Sequence, residues 1–139
     1  MTAKDLRISV GLLARRIRQL YTIASDDDLT FTELGVLARL EREGPQSSVQ
    51  LAALERISAQ AVGTSLSELH RRGLVIREAD PDDGRRVITS LSDAGRIALS
   101  NREEVITERL AVVVNNLSAE ERDRLAAALP VLRLIAERL

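Results

Sequence analysis

Along residues 4–24 the apolar positions Leu6, Val10, Leu13, Ile17, Leu20 and Ala24 recur at steps of three and four, which lines one face of a helix. The acidic stretch SDDDL interrupts that stripe. Thr30 then opens a second helix, with Glu33 three residues on in the spacing of a capping box. Its stripe is Leu34, Leu37 and Leu40 with Val36, and the sequence EGP ends it. Ser47 and Gln50 repeat the capping-box spacing ahead of LAALERI, a helix of about two turns. After a turn at 56–58, a helix over 59–72 buries Val62, Leu66 and Leu69. Gly73 stands where a left-handed helix cap belongs.

The β-branched runs LVIRE and RRVITSL then predict the strands of a hairpin, with Pro81 and an acidic turn between them. Gly84 is expected to let that turn bend tightly. Beyond Ser92 the helical period returns in a long helix ending near Asn115 and Asn116. A last helix opens with Ser118 and Glu121 in capping-box spacing and carries Leu125, Leu129, Leu132, Ile135 and Leu139 on one stripe. Pro130 is expected to kink it or loosen one turn. The fold read from this order is mainly α, a winged helix-turn-helix with a two-stranded β-hairpin wing and long terminal helices.

Composition narrows the chemistry. The 139 residues suit one domain, and with Tyr21 and Phe31 the only aromatics the core must be aliphatic. A formal charge of −1 argues against a globally basic nucleic-acid binder, so an anionic partner has to meet a local patch. The chain has no cysteine and one histidine, His70, which excludes disulfides, thiolate zinc sites and thiol redox sensing. Phosphate loops, GxSxG elbows and metal-spaced histidines are absent too, so an enzyme is not expected, and no metal or cofactor is implied. The N-terminus lacks the apolar core of a signal peptide and no run approaches a membrane span, which reads as a soluble, cytoplasmic protein.

Two helices joined by a tight turn hold the start of the second one outward, where it can enter a major groove. The exposed positions there are Ser58, Gln60, Gly63 and Thr64, and Gln60 alone has an amide that can pair with adenine through two bonds. Gly63 weakens a helix interior by about 1 kcal/mol relative to alanine, which makes sense where another backbone or DNA comes close. Each feature has a plainer reading. Arg85 and Arg86 can be a solvated face paired with Asp80, Asp82 and Asp83, Arg71 and His70 can serve the helix end, and Tyr21 can be packing.

The stretches LTFTELGVLARL and LAALERISAQAVGTSLSELHRRGLVIREADPDDGRRVITSLSDAGR, with the flanking helices, resemble a MarR-type transcriptional regulator. Leu66, Leu69, Arg71 to Val75, Arg77, Asp80, Pro81, Asp83, Arg85, Arg86, Leu91, Ser92 and Gly95 carry the most specific part of the likeness. The resemblance implies a homodimer built from about 4–24 and 93–139, and a DNA-binding lobe at about 30–92. It also implies a wing whose Arg85 enters the minor groove while Asp83 orients it. The DNA-facing set so expected is Ser47, Gln50, Ser58, Ala59, Gln60, Gly63, Thr64, Ser67, Arg77, Asp83, Arg85 and Arg86. One departure is that Gly63, Thr64 and Ser65 stand where relatives often place a basic residue, which shifts weight to shape and phosphate contacts. The expected partner is double-stranded DNA with a pseudo-palindromic operator, released by a small aromatic or anionic effector, with Arg16 as a candidate ligand contact. The competing class is a winged helix that docks proteins rather than DNA.

Overall fold

Helix after helix in this chain begins on a hydroxyl. Thr30 and Ser47 each accept the backbone N–H three residues on, while Glu33 and Gln50 reach back to the N–H of the cap. Those reciprocal bonds start α2 at Phe31–Glu43 and α3 at Ser48–Glu55. Ser58 caps α4, Ala59–Arg71, and Ser118 with Glu121 caps α6, Ala119–Arg138. The Ser92 hydroxyl accepts the Gly95 N–H at the start of α5, Asp93–Asn115.

The computed structural model describes residues 1–23 and 29–139. Ala24 and most of the acidic break after it lie outside the described residues; α1 is Ala3–Ile23. The chain divides into two compact units, Met1–Glu104 and Val105–Leu139. None of the described helices is long and apolar enough to cross a membrane.

Two expectations change. The third helix starts three residues before LAALERI, because Ser47 fixes its first turn, and it stops before Arg56. Arg56 adopts φ 53°, ψ 43°, a left-handed conformation that disfavours a residue with a Cβ by about 1 kcal/mol. Arg56 is exposed, and nothing about its side chain shows why a glycine is not used there. Arg56→Gly is therefore expected to raise stability by up to about 1 kcal/mol, read as a higher midpoint in urea unfolding. A lower midpoint would mean that the freedom gained by the unfolded chain outweighs the relief.

The second change is in the wing. Strands β2, Val75–Ala79, and β3, Val87–Leu91, form the expected antiparallel hairpin, with Arg77 opposite Thr89. A third strand, β1 at Gln46–Ser47, pairs with the outer side of β3, giving the order β1-β3-β2. The wing is thus three-stranded at its base, and its central strand is tied to the segment that starts α3.

The core of the first unit is aliphatic, as composition requires. Leu34, Val36, Leu37 and Leu40 of α2, Leu51 of α3 and Val62, Leu66 and Leu69 of α4 are buried in one cluster with Leu74, Val75 and Leu99. The apolar stripes predicted for α2 and α4 all point into it. Arg39 fastens the end of α3 to α2, donating to the Leu54 carbonyl at 3.1 Å and pairing with Glu55 at 3.4 Å.

The far end of α4 closes in a Schellman turn. Gly73 takes φ +73°, its N–H donates to the His70 carbonyl at 3.0 Å, and the Leu74 N–H donates to the Leu69 carbonyl at 2.9 Å. Ser92 then stitches this turn to α5. Its hydroxyl donates to the Gly73 carbonyl at 2.7 Å, and its N–H donates to the Leu74 carbonyl at 3.2 Å.

In the second unit α6 continues through Pro130, which has no N–H to offer the Ala126 carbonyl one turn earlier. None of its residues is buried, and Leu125, Leu129, Val131 and Leu134 are exposed.

Candidate nucleic-acid interface

Burial sorts the faces of α4. Val62, Ser65, Leu66 and Leu69 point inward, so the opposite side presents Ala59, Gln60, Gly63, Thr64 and Ser67 to solvent. Ser58 is exposed as well, but its hydroxyl oxygen already accepts the Ala61 N–H at 3.1 Å. It fixes the first turn that carries Gln60. The Gln60 amide makes no hydrogen bond among the described residues, so its donor and acceptor are both available to a base edge. A Cβ added at Gly63 would meet nothing within 4 Å. No neighbour among the described residues explains that glycine, which is exposed.

At the C-terminal end of the same helix, Glu68 takes two hydrogen bonds from the Arg71 guanidinium, at 3.0 and 2.6 Å. These bonds hold the Glu68 carboxyl below its ordinary range and push Arg71 up. Arg71 is thereby engaged with its own helix, and His70 is an exposed helix-end residue.

The wing tip is organised by carboxylates acting on backbone. Asp80 Oδ1 accepts the Asp82 N–H at 2.9 Å, and Asp83 Oδ1 accepts the Arg85 N–H at 3.1 Å. Two backbone bonds, Asp80 N–H to the Arg86 carbonyl at 2.8 Å and Arg86 N–H to the Asp83 carbonyl at 3.0 Å, close the loop. Gly84 does not take a positive φ, so the expected glycine bend is not what shapes the turn. The Asp side chains do it.

Above that frame the two arginines, both in the turn that precedes β3, meet different carboxylates. Arg86 lies 3.7 Å from Asp80, a half-buried carboxylate, and is part of the wing's own construction. Arg85 is 96% exposed, and its Nε is 3.9 Å from Asp83 Oδ1. That is too long for a firm hydrogen bond. Asp83 thus holds the Arg85 backbone more tightly than its guanidinium. Arg77 is exposed on β2.

The two members of the set that precede α4 differ in placement. Ser47 is buried, its oxygen accepting the Gln50 N–H at 3.2 Å, and it supports the start of α3 from behind. Gln50 is exposed, with its carbonyl oxygen accepting the Ser47 N–H at 2.8 Å. Ser48 and Val49, which the sequence did not single out, line a cleft with Gln50, Arg85, Arg86 and Val87. Their N–H groups belong to the first turn of α3, where intrahelical partners are lacking. The capping pair was the signal for this, because a cap leaves the next two N–H groups pointing out of the helix.

Arg16 is exposed on α1 and donates to Gln19 at 3.3 Å. Tyr21 packs edge-on against Phe31, with centroids 5.6 Å apart, and the Arg18 guanidinium lies 4.4 Å over the Phe31 ring. These contacts give Tyr21 a packing role.

Comparison with known proteins gives a consistent family. A family model described as MarR family matches residues 27–86. The chain is 33% identical over 140 residues to an uncharacterised HTH-type transcriptional regulator of Mycobacterium leprae, covering 97% of this chain and 93% of that one. It is 28% identical over 126 residues to the transcriptional repressor NicR of Pseudomonas putida, covering 87% and 80% respectively. The crystal structure of a putative transcriptional regulator of Pseudomonas aeruginosa superposes with a TM-score of 0.83 at 34% identity, over 97% of this chain and 92% of that one.

Proposed function

Since the chain belongs to the MarR family of DNA-binding transcriptional regulators, we propose that it is a cytoplasmic, non-enzymatic repressor. It binds a pseudo-palindromic operator as a homodimer. The observation that carries this reading is Arg85, an almost fully exposed cation on a tip whose backbone is fixed by two carboxylates. Among the described residues that charge has a long 3.9 Å approach to Asp83, whereas a narrow minor groove would engage it closely.

The rest of the lobe supplies complementary contacts. Gln60, Gly63 and Thr64 on α4 meet base edges, with Ala59 and Ser67 beside them. Gln50, Arg77 and Arg86 and the N–H groups that begin α3 meet phosphates. Ser47, Ser58 and Asp83 act by holding these groups in place. Repression is supported by the likeness to NicR, which is named a repressor.

Dimerisation is supported by apolar side chains that their own chain leaves uncovered. Ile8, Val10, Leu12 and Leu13 of α1 and Leu125, Leu129, Val131 and Leu134 of α6 are all exposed. A two-fold copy presenting the same stripes would cover them and set two recognition helices about 34 Å apart. We assign 4–24 and 93–139 to that role within a single functional domain. Release by a small aromatic or anionic effector fits the cleft between α3 and the wing, where Arg85 and Arg86 stand beside Val49 and Val87.

The test is binding to DNA fragments selected from random sequence, followed by fluorescence anisotropy at several salt concentrations. The expected result is an inverted repeat bound by two chains, with Gln60→Ala weakening binding by about 1–3 kcal/mol and relaxing preference at one position per half-site. Selection that enriches no sequence would remove the operator-binding reading and favour protein docking.

A further inference from the structure

A groove between the first turns of α2 and α4 is lined by Thr30, Glu33, Ser58, Gln60, Thr64 and Ser65, among others. Glu33 is only 5% exposed. Its Oε1 accepts the Thr30 N–H at 3.3 Å in the capping box that starts α2. Its Oε2 is buried and has no hydrogen-bond partner among the described residues. No arginine or lysine forms an ion pair with Glu33 among the described residues, and Ser65 beside it in the groove is also buried. The remaining carboxylate on the groove, Glu68, is already bound by Arg71.

A buried carboxylate oxygen without a donor is unfavourable, and a charged donor corrects it better than a neutral one. The other groups on the groove are hydroxyls and one amide. The Thr30 and Ser58 hydroxyls each accept a backbone N–H, at 3.1 Å in both cases. An anion would find a carboxylate there and no cation to offset it. We propose that this groove binds a small primary ammonium ligand, with Glu33 Oε2 as its counter-ion and the Ser65 hydroxyl and Gln60 carbonyl oxygen as further acceptors. Because Ser58, Gln60 and Thr64 also belong to the proposed reading face, an occupied groove excludes DNA. That consequence rests on the operator-binding reading, whereas the binding itself does not.

The test compares n-butylammonium chloride with sodium butyrate, a pair matched in chain length and opposite in charge. Each is titrated calorimetrically into the full chain, its Glu33→Gln variant and its Ser65→Ala variant. Glutamine keeps the capping box, so Glu33→Gln removes the charge and leaves the start of α2 intact. The expected result is saturable binding of one butylammonium per chain and none of butyrate. Glu33→Gln should weaken that binding about tenfold or more at an unchanged melting temperature, and Ser65→Ala should weaken it less. If Glu33→Gln does not fold, Ser65→Ala alone decides. No binding, equal binding of butyrate, or affinity indifferent to the substitutions overturns the site. Anisotropy with labelled operator runs in parallel. Amine binding by a protein that never binds DNA would sink the operator reading and leave the amine site standing. Amine binding that leaves bound DNA in place would refute the overlap with the reading face.

Discussion

Gly95→Ala is expected to lower stability by about 3 kcal/mol or more, enough to threaten folding of the lobe. A Cβ at this buried position would overlap the Leu74 carbonyl oxygen and come within 2.9 Å of the Leu91 side chain. The obstacle is backbone, and that backbone is held. The same Leu74 carbonyl accepts the Ser92 N–H at 3.2 Å, while the Ser92 hydroxyl spans the Gly73 carbonyl and the Gly95 N–H. Moving α5 away to make room would stretch either the cap bond from Gly95 to Ser92 or both bonds from Ser92 to the Gly73–Leu74 turn. Gly63→Ala is the internal control, since its added methyl meets nothing and should raise stability by about 0.8 kcal/mol through helix propensity. Urea unfolding followed by circular dichroism reads both. Opposite shifts of the two midpoints are the expected result, and a Gly95→Ala midpoint equal to that of the unaltered chain would show that the joint yields easily.

The second large effect concerns DNA. Arg85→Ala should weaken operator binding about tenfold or more and lower the slope of log affinity against log salt by about 1, with folding nearly unchanged. Asp83→Ala should also weaken binding, although it removes a negative charge from a surface proposed to face phosphates. The reason lies in the turn. Asp83 Oδ1 holds the Arg85 N–H at 3.1 Å, so without it the segment carrying Arg85 loses its fixed direction and binding has to restore it. Asp83→Asn separates shape from charge, because an amide oxygen accepts the same N–H. Its binding should equal or exceed that of the unaltered protein. If Asp83→Ala tightened binding, the wing would be acting only as a charged loop.

The parts of this fold that are legible in the sequence are those set by near neighbours. Thr30 with Glu33, Ser47 with Gln50, and Ser118 with Glu121 each satisfy donors three residues away, so the spacing alone announces a helix start. Gly73 likewise marks the end of α4. The rest depends on distant pairing or on an unsuitable residue type. Strand β1 is two residues long and exists because Gln46 and Ser47 meet Thr89 and Ile88. That pairing also turns Ser47 inward, away from the exposed surface expected of a DNA-facing serine. Arg56 takes a left-handed conformation that its side chain gives no reason to expect. In the candidate site, the arginine pair and Gln60 are visible by type. The burial of Glu33 and the division of labour between Arg85 and Arg86 are not, since both depend on which neighbours the folded chain supplies.

The uncovered leucines of α6 have a consequence for supply of the protein in a cell. A helix that buries none of its own residues owes its persistence to whatever covers it. If a second copy does so, folding and pairing become one equilibrium, and stability rises with the logarithm of protein concentration. Newly made chains at low abundance would then be the least stable and the first degraded. On the proposed reading as a dimeric repressor, there would then be a threshold of expression below which its genes stay open, set by the apolar stripe of one helix rather than by its affinity for DNA.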